Sequence, residues 1–199
     1  MSETVFLPDA CGIAFKEWSG VCAALAEGRQ SVILRKGGIA EANGRFIPEH
    51  GVFWLYPTHL HERQQGLRIE PPEPVRPATH VDISALAVIA EVLFIDRRDA
   101  LEAMADMHVW TRETVQRRFE YRTPGLWVFA VRVYCRATPL RIEATPAHAG
   151  CKSWVPLEVP PQTSGLSPSL SDAEFACRMD QLRAAVSFAR EPSRERFAQ

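Results

Sequence analysis

Apolar positions early in the chain fall at helical spacing. Phe15, Trp18, Val21, Cys22 and Leu25 share a face, Lys16, Glu17 and Glu27 lie off it, and Gly28 follows as a stop. That pattern predicts an amphipathic helix over 14–27, after a short strand at Thr4–Leu7. The β-branched run Val32-Ile33-Leu34 predicts a buried strand. Turn signals at Gly37-Gly38 and Asn43-Gly44 flank 39–42. Val52–Tyr56 predicts the next strand, with Val52, Trp54 and Tyr56 on one face, and Pro57-Thr58 predicts a short helix capped by Thr58.

Four prolines between Glu70 and Pro77 predict a stiff extended crossing between two layers of one fold. The run Ile83–Ile95 is ambiguous by period. Its Val88, Ile89, Val92, Phe94 and Ile95 favour a strand over Leu86–Ile95. Asp99 and Glu102 suggest a capping box for a helix to about Met107, and Thr111 a cap for a helix to Tyr121 supported by Glu113 and Arg117. Leu126–Cys135 alternates cleanly as a strand. Beyond Trp154, the Pro- and Ser-rich stretch 156–168 reads as a linker or surface-hugging arm. A capping box at Ser171 and Glu174 then opens a helix striped by Phe175, Met179, Leu182, Val186 and Ala189.

Together these elements predict an α+β fold: a mixed, partly barrel-like sheet, flanking helices and a C-terminal helical appendage. Residues 1–157 are expected to form one domain and 158–199 a linker and helix. The helix over 171–190 is expected to dock on its own core, with a partner or a second copy of the chain as the other option. The 46% hydrophobic and 24% charged content is that of an ordinary globular chain.

A net charge of −1 argues against a general DNA coat, which needs many phosphate contacts. It leaves room for a local basic site. Seven arginines (Arg112, Arg117, Arg118, Arg122, Arg132, Arg136 and Arg141) crowd one region, and their simplest reading is a solvated helix face with loops. Five scattered cysteines without a Cys-x-x-Cys pair suit reduced thiols, so a cytoplasmic location is expected. No signal peptide is recognisable, and no apolar run reaches the length of a membrane span.

Candidate chemistry gathers between Leu34 and Glu62. Lys36-Gly37-Gly38 follows a buried strand, and its glycines let backbone amides approach an anion while the lysine supplies charge. The Walker spacing is missing, and a tight turn with an exposed lysine is the plainer reading. Glu49, His50, His59 and His61 could supply an acid, a base or metal ligands, although the His-Glu-x-x-His zinc arrangement is absent. Tyr56 and Thr58 lie beside them. Arg132 and Glu91 each interrupt an apolar strand; they either pair with each other, or Arg132 grips a carboxylate or phosphate in a pocket. Cys151-Lys152-Ser153-Trp154 offers a thiol that Lys152 could activate. Equally, it offers a nucleotide site with Trp154 stacking and Lys152 at phosphate.

Several islands resemble one family in order. Phe15-Lys16-Glu17-Trp18 with Leu34–Ile39, then Leu55-Tyr56-Pro57-Thr58 with His61, then Gly150–Val155 are similar to the bacterial domain-of-unknown-function family 1802. His108, Trp110-Thr111 and Arg132-Val133-Tyr134 fit the same resemblance, which spans roughly 14–157 and implies domain limits rather than an activity. The second half is also similar in arrangement to PUA-like barrels, which often bind RNA or modified bases.

The expectation is therefore a binding module for a phosphorylated ligand, nucleotide or RNA, using Lys36, Arg132, Lys152 and Trp154. The alternatives are a phosphoryl-bond hydrolase built on the His/Glu group and a non-catalytic scaffold. The sequence leaves the cofactor unknown.

Overall fold

The computed structural model describes residues 7–36, 48–59, 66–73, 79–148, 150 and 152–188. In chain order these form β1 (Ile13–Trp18), α1 (Ser19–Ala26), β2 (Val32–Arg35), β3 (Val52–Thr58) and β4 (His80–Ile95). There follow α2 (Arg98–Ala103), a 3-10 turn (Ala105–Met107), α3 (Arg112–Glu120), β5 (Leu126–Glu143), β6 (Trp154–Pro156), β7 (Ser167–Pro168) and α4 (Asp172–Phe188). The strands make one mixed sheet in the order β2-β5-β4-β3-β1-β6, with β7 added beside β5. β1 and β3 run parallel; the other pairs are antiparallel. The α+β class with flanking and C-terminal helices is as the sequence implies, and the sheet is not closed into a barrel.

The sheet is built on β4 and β5, which pair from His80↔Glu143 to Ile95↔Leu126 with bulges near Ser84 and Ala90. Bulges bend a strand and increase its twist, so this long ribbon curls. Leu86, Ala87, Val128 and Ala130 are buried in it. The ambiguous run Ile83–Ile95 is a strand, and it starts earlier than its β-branched core suggests, at His80.

Three expectations fail for identifiable reasons. The helix over 14–27 is a strand as far as Trp18 and a helix only from Ser19. Residues 13–18 satisfy both periods. Their backbone is taken by β3 on one side and β6 on the other, which outweighs the helical pattern. Gly28 does end the turn, at φ +68°, where a Cβ would sit 2.7 Å from Leu170 Cδ2. Pro57-Thr58 opens no helix: both residues extend β3, and Thr58 Oγ1 donates to the Glu17 carbonyl at 3.2 Å. Glu91 and Arg132 do not pair. Glu91 meets Arg183 at 2.9 Å and Arg132 meets Asp172, so each ties α4 to the sheet.

α4 opens on the expected capping box, Glu174 N–H to Ser171 Oγ at 3.3 Å and Ser171 N–H to Glu174 Oε2 at 2.8 Å. Met179, Leu182, Ala185 and Val186 are buried in the main core, so the stripe packs inside the protein rather than facing a partner. Thr111 caps α3 through the Thr114 N–H, whereas α2 has no side-chain cap. Among the described residues no helix is long and apolar enough to cross a membrane.

Candidate anion-binding site

β2 and β6 end the main strand path on opposite sides, yet Arg35 at the end of β2 donates to the hydroxyl of Ser153 beside β6. The curled sheet thus brings the segment 34–36 to the segment 152–154. At this gap β1 turns into α1. Glu17, only 5% exposed, accepts the Trp18 N–H at 2.9 Å, and α1 starts at the next residue. The positive end of a helix dipole therefore lies at the gap.

Two guanidiniums line it. Arg35 is half-buried over the Phe15 ring, 4.8 Å from its centroid. Arg118, from α3, is half-buried over Trp18 at 4.3 Å and Trp110 at 5.5 Å. Stacking on aromatic faces holds each flat cation in place. Burial pushes the pKa of both guanidiniums down, and the Glu17 charge opposes that for each. Arg35 and Arg117 push Arg118 down further. Arg35 and Arg118 thus both feel the Glu17 charge, and they repel each other.

Lys16, on the other face of β1, holds the approach. Its ammonium donates to the carbonyls of His148 and Gly150, the latter at 3.0 Å, and its N–H reaches the Ser153 carbonyl at 2.8 Å. Ser153 is consequently pinned on two sides.

The anticipated residues are distributed differently. Lys36 donates to the carbonyls of Phe119 (2.7 Å), Thr123 and Gly125 (2.9 Å), so its three protons stitch β2 to the α3–β5 turn. Arg132 lies under α4, over Phe175 at 5.3 Å and paired to Asp172. Lys152 is exposed. The Trp154 ring meets Phe15, Phe53 and His50 edge-on at 4.7–5.1 Å. Tyr56 is buried against His148. His50 faces Glu49 at 3.8 Å near the start of β3, while His59 follows its end. Six residue steps of strand, roughly 20 Å, keep those two histidines from a common site. Gly37, Gly38, His61 and Cys151 lie outside the described residues, as do 39–44, Ala189 and most of Thr4–Leu7.

The sequence reading missed Glu17, Arg35 and Arg118. Glu17 was hidden by the helix expected over 14–27. Arg118 was hidden among seven arginines, of which Arg112, Arg117, Arg122 and Arg141 are indeed exposed. One signal was present: Trp18, Trp110 and Arg118 are two large aromatics and a planar cation that seek one another.

The chain belongs to the domain-of-unknown-function family DUF1802, whose model matches residues 14–181. The match runs past 157 and into α4. A comparison with curated proteins finds no match. Among solved structures, the chain is similar to ASCH from Zymomonas mobilis, at 13% identity and a TM-score of 0.43, covering 85% of this chain and 94% of that one. A serine-to-alanine mutant of that protein matches at 14% identity and a TM-score of 0.40, covering 88% and 99%.

Proposed function

We propose that the protein is a binding module for a phosphorylated ligand, a nucleotide or an RNA strand, held where β1 passes into α1. The observation that carries this reading is the pair of half-buried guanidiniums, Arg35 and Arg118, stacked on aromatic rings near the Glu17 carboxylate. Phosphate oxygens suit the forked donors of arginine. In this reading Lys36 and Trp154 build the frame and do not touch the ligand.

Fluorescence anisotropy of a labelled short single-stranded RNA, titrated with the protein, tests it. Arg35→Gln and Arg118→Gln should each weaken binding about tenfold or more, while Lys36→Met binds like the parent. Absence of binding in the parent, or equal affinity in all four proteins, discards the proposal.

A further inference from the structure

A cavity of about 280 Å³ opens between α2 and α3, apart from the Arg35 gap. Its buried polar lining residues are His108, 5% exposed, and Trp110, 1% exposed. His108 Nδ1 and Trp110 Nε1 make no hydrogen bond among the described residues. An indole N–H is a donor only, so burying it without an acceptor is unfavourable unless something in the cavity accepts. Burial, reinforced by the nearby Arg68 charge, lowers the His108 pKa to about 4, so its ring is neutral at pH 7 with one bare nitrogen and one N–H. Leu101, Ala105 and Val115 supply apolar wall.

The outer part of the cavity has the opposite character. Arg68, Arg98 and Arg112 line it with side chains 43%, 70% and 65% exposed. Their ion pairs to Asp106, Glu120 and Glu102 lie at the surface, where such pairs hold weakly and exchange readily. A neutral hydrogen-bonding floor, apolar sides and a mouth of arginines in exchangeable pairs with carboxylates, Glu102 and Asp106 among its own lining, select a particular shape of guest.

We propose that this cavity is a second ligand site, taking a small planar organic anion whose ring carbonyl or hydroxyl meets Trp110 and His108 while its carboxylate or phosphate meets the arginines. The volume admits a single ring with its substituents and no larger cofactor. The site is independent of the nucleotide or RNA reading, although Trp110 borders both.

The indole N–H resonance of Trp110, assigned by its loss in Trp110→Phe, gives a local readout. The intact protein is titrated up to about 10 mM with orotate as the carboxylate probe and phenyl phosphate as the phosphate probe, a range that reaches weak millimolar affinities. Uracil and phenol are the uncharged controls. At least one anion should shift the resonance saturably, well beyond its control, and which one does so identifies the acid group. Combining Arg98→Gln with Arg112→Gln should weaken that binding about tenfold or more. Ala105→Phe should abolish it with the other indole resonances in place. Arg35→Gln should titrate like the parent, which separates this site from the first. A flat titration with both anions, equal shifts from the uncharged controls, or unchanged affinity in the double arginine variant overturns the proposal.

Discussion

Arg35 donates a guanidinium N–H to the Ser153 hydroxyl across the gap between β2 and the start of β6. Among the described residues no strand pairing closes the sheet there; this contact spans the gap, and the Lys16 N–H meets the Ser153 carbonyl from β1. A cation is thereby held at a gap rather than in the middle of a face.

Arg35 and Lys36 are neighbours with different work. Replacing Lys36 by Met removes its bonds to three carbonyls, of which that of Phe119 keeps the Gly125 N–H, and should lower stability by about 1–3 kcal/mol, read from the urea midpoint, without changing phosphate affinity. Ser153→Ala removes a single acceptor and should lower stability by about 1 kcal/mol. Exposed Lys152→Ala should stay within about 0.5 kcal/mol of the parent. A larger loss from Lys152→Ala than from Lys36→Met would reverse the assignment.

Glu17→Gln leaves two half-buried guanidiniums repelling each other without the nearby carboxylate. Stability should fall by about 1–3 kcal/mol, less than for a fully buried pair because both arginines keep some solvent. Inorganic phosphate should restore part of that loss by binding the folded form. Thermal unfolding with and without phosphate checks this, with chloride at equal ionic strength as the control. A melting temperature that phosphate leaves unmoved argues against the anion site.

His108 gives the fold a pH signature. Its folded pKa, about 4, lies below its ordinary 6.5, so the unfolded chain binds the proton more readily. The stabilisation is present in full above pH 6.5 and is lost as pH falls towards about 4. The most that this one group can withdraw is about 3 kcal/mol. Urea unfolding across that window should show the decline in the parent and a flatter course in His108→Gln. Parallel curves for the two proteins would place the pH dependence elsewhere.

The α4 stripe belongs to the core. Leu182, 2% exposed, packs in the main cluster, and Leu182→Ala should cost about 2–4 kcal/mol. Sedimentation should show the same assembly state for variant and parent. A change of assembly state with little loss of stability would return this face to a partner.

Elements with one dominant period were legible in the residues. The alternation of Leu126–Cys135, the capping box at Ser171 and the β-branched Val32–Leu34 each admit a single geometry, and each forms it. Ile13–Trp18 was not legible, because its apolar residues fit a helix face locally and its strand state depends on backbone pairing with residues about forty and a hundred and forty positions away. The candidate site follows the same division. Proximity of the segments around 36 and 152 was anticipated, but which side chain bridges them was not. Lys36 and Arg35 point from adjacent positions of a strand to opposite sides, and only the fold tells which side holds the gap. Arg118 could not be separated from its exposed neighbours while the position of α3 over Trp18 and Trp110 was unknown.

The most direct measurement is a chemical-shift map of the isotope-labelled protein, backbone amides and arginine Nε–H groups together, as adenosine monophosphate is added. The account predicts the largest saturable shifts at Arg35 and Arg118 Nε–H, with little change at Arg132 or Lys152. Shifts centred on Arg132 or on the exposed side of Lys152, or no saturable shift anywhere, would contradict it.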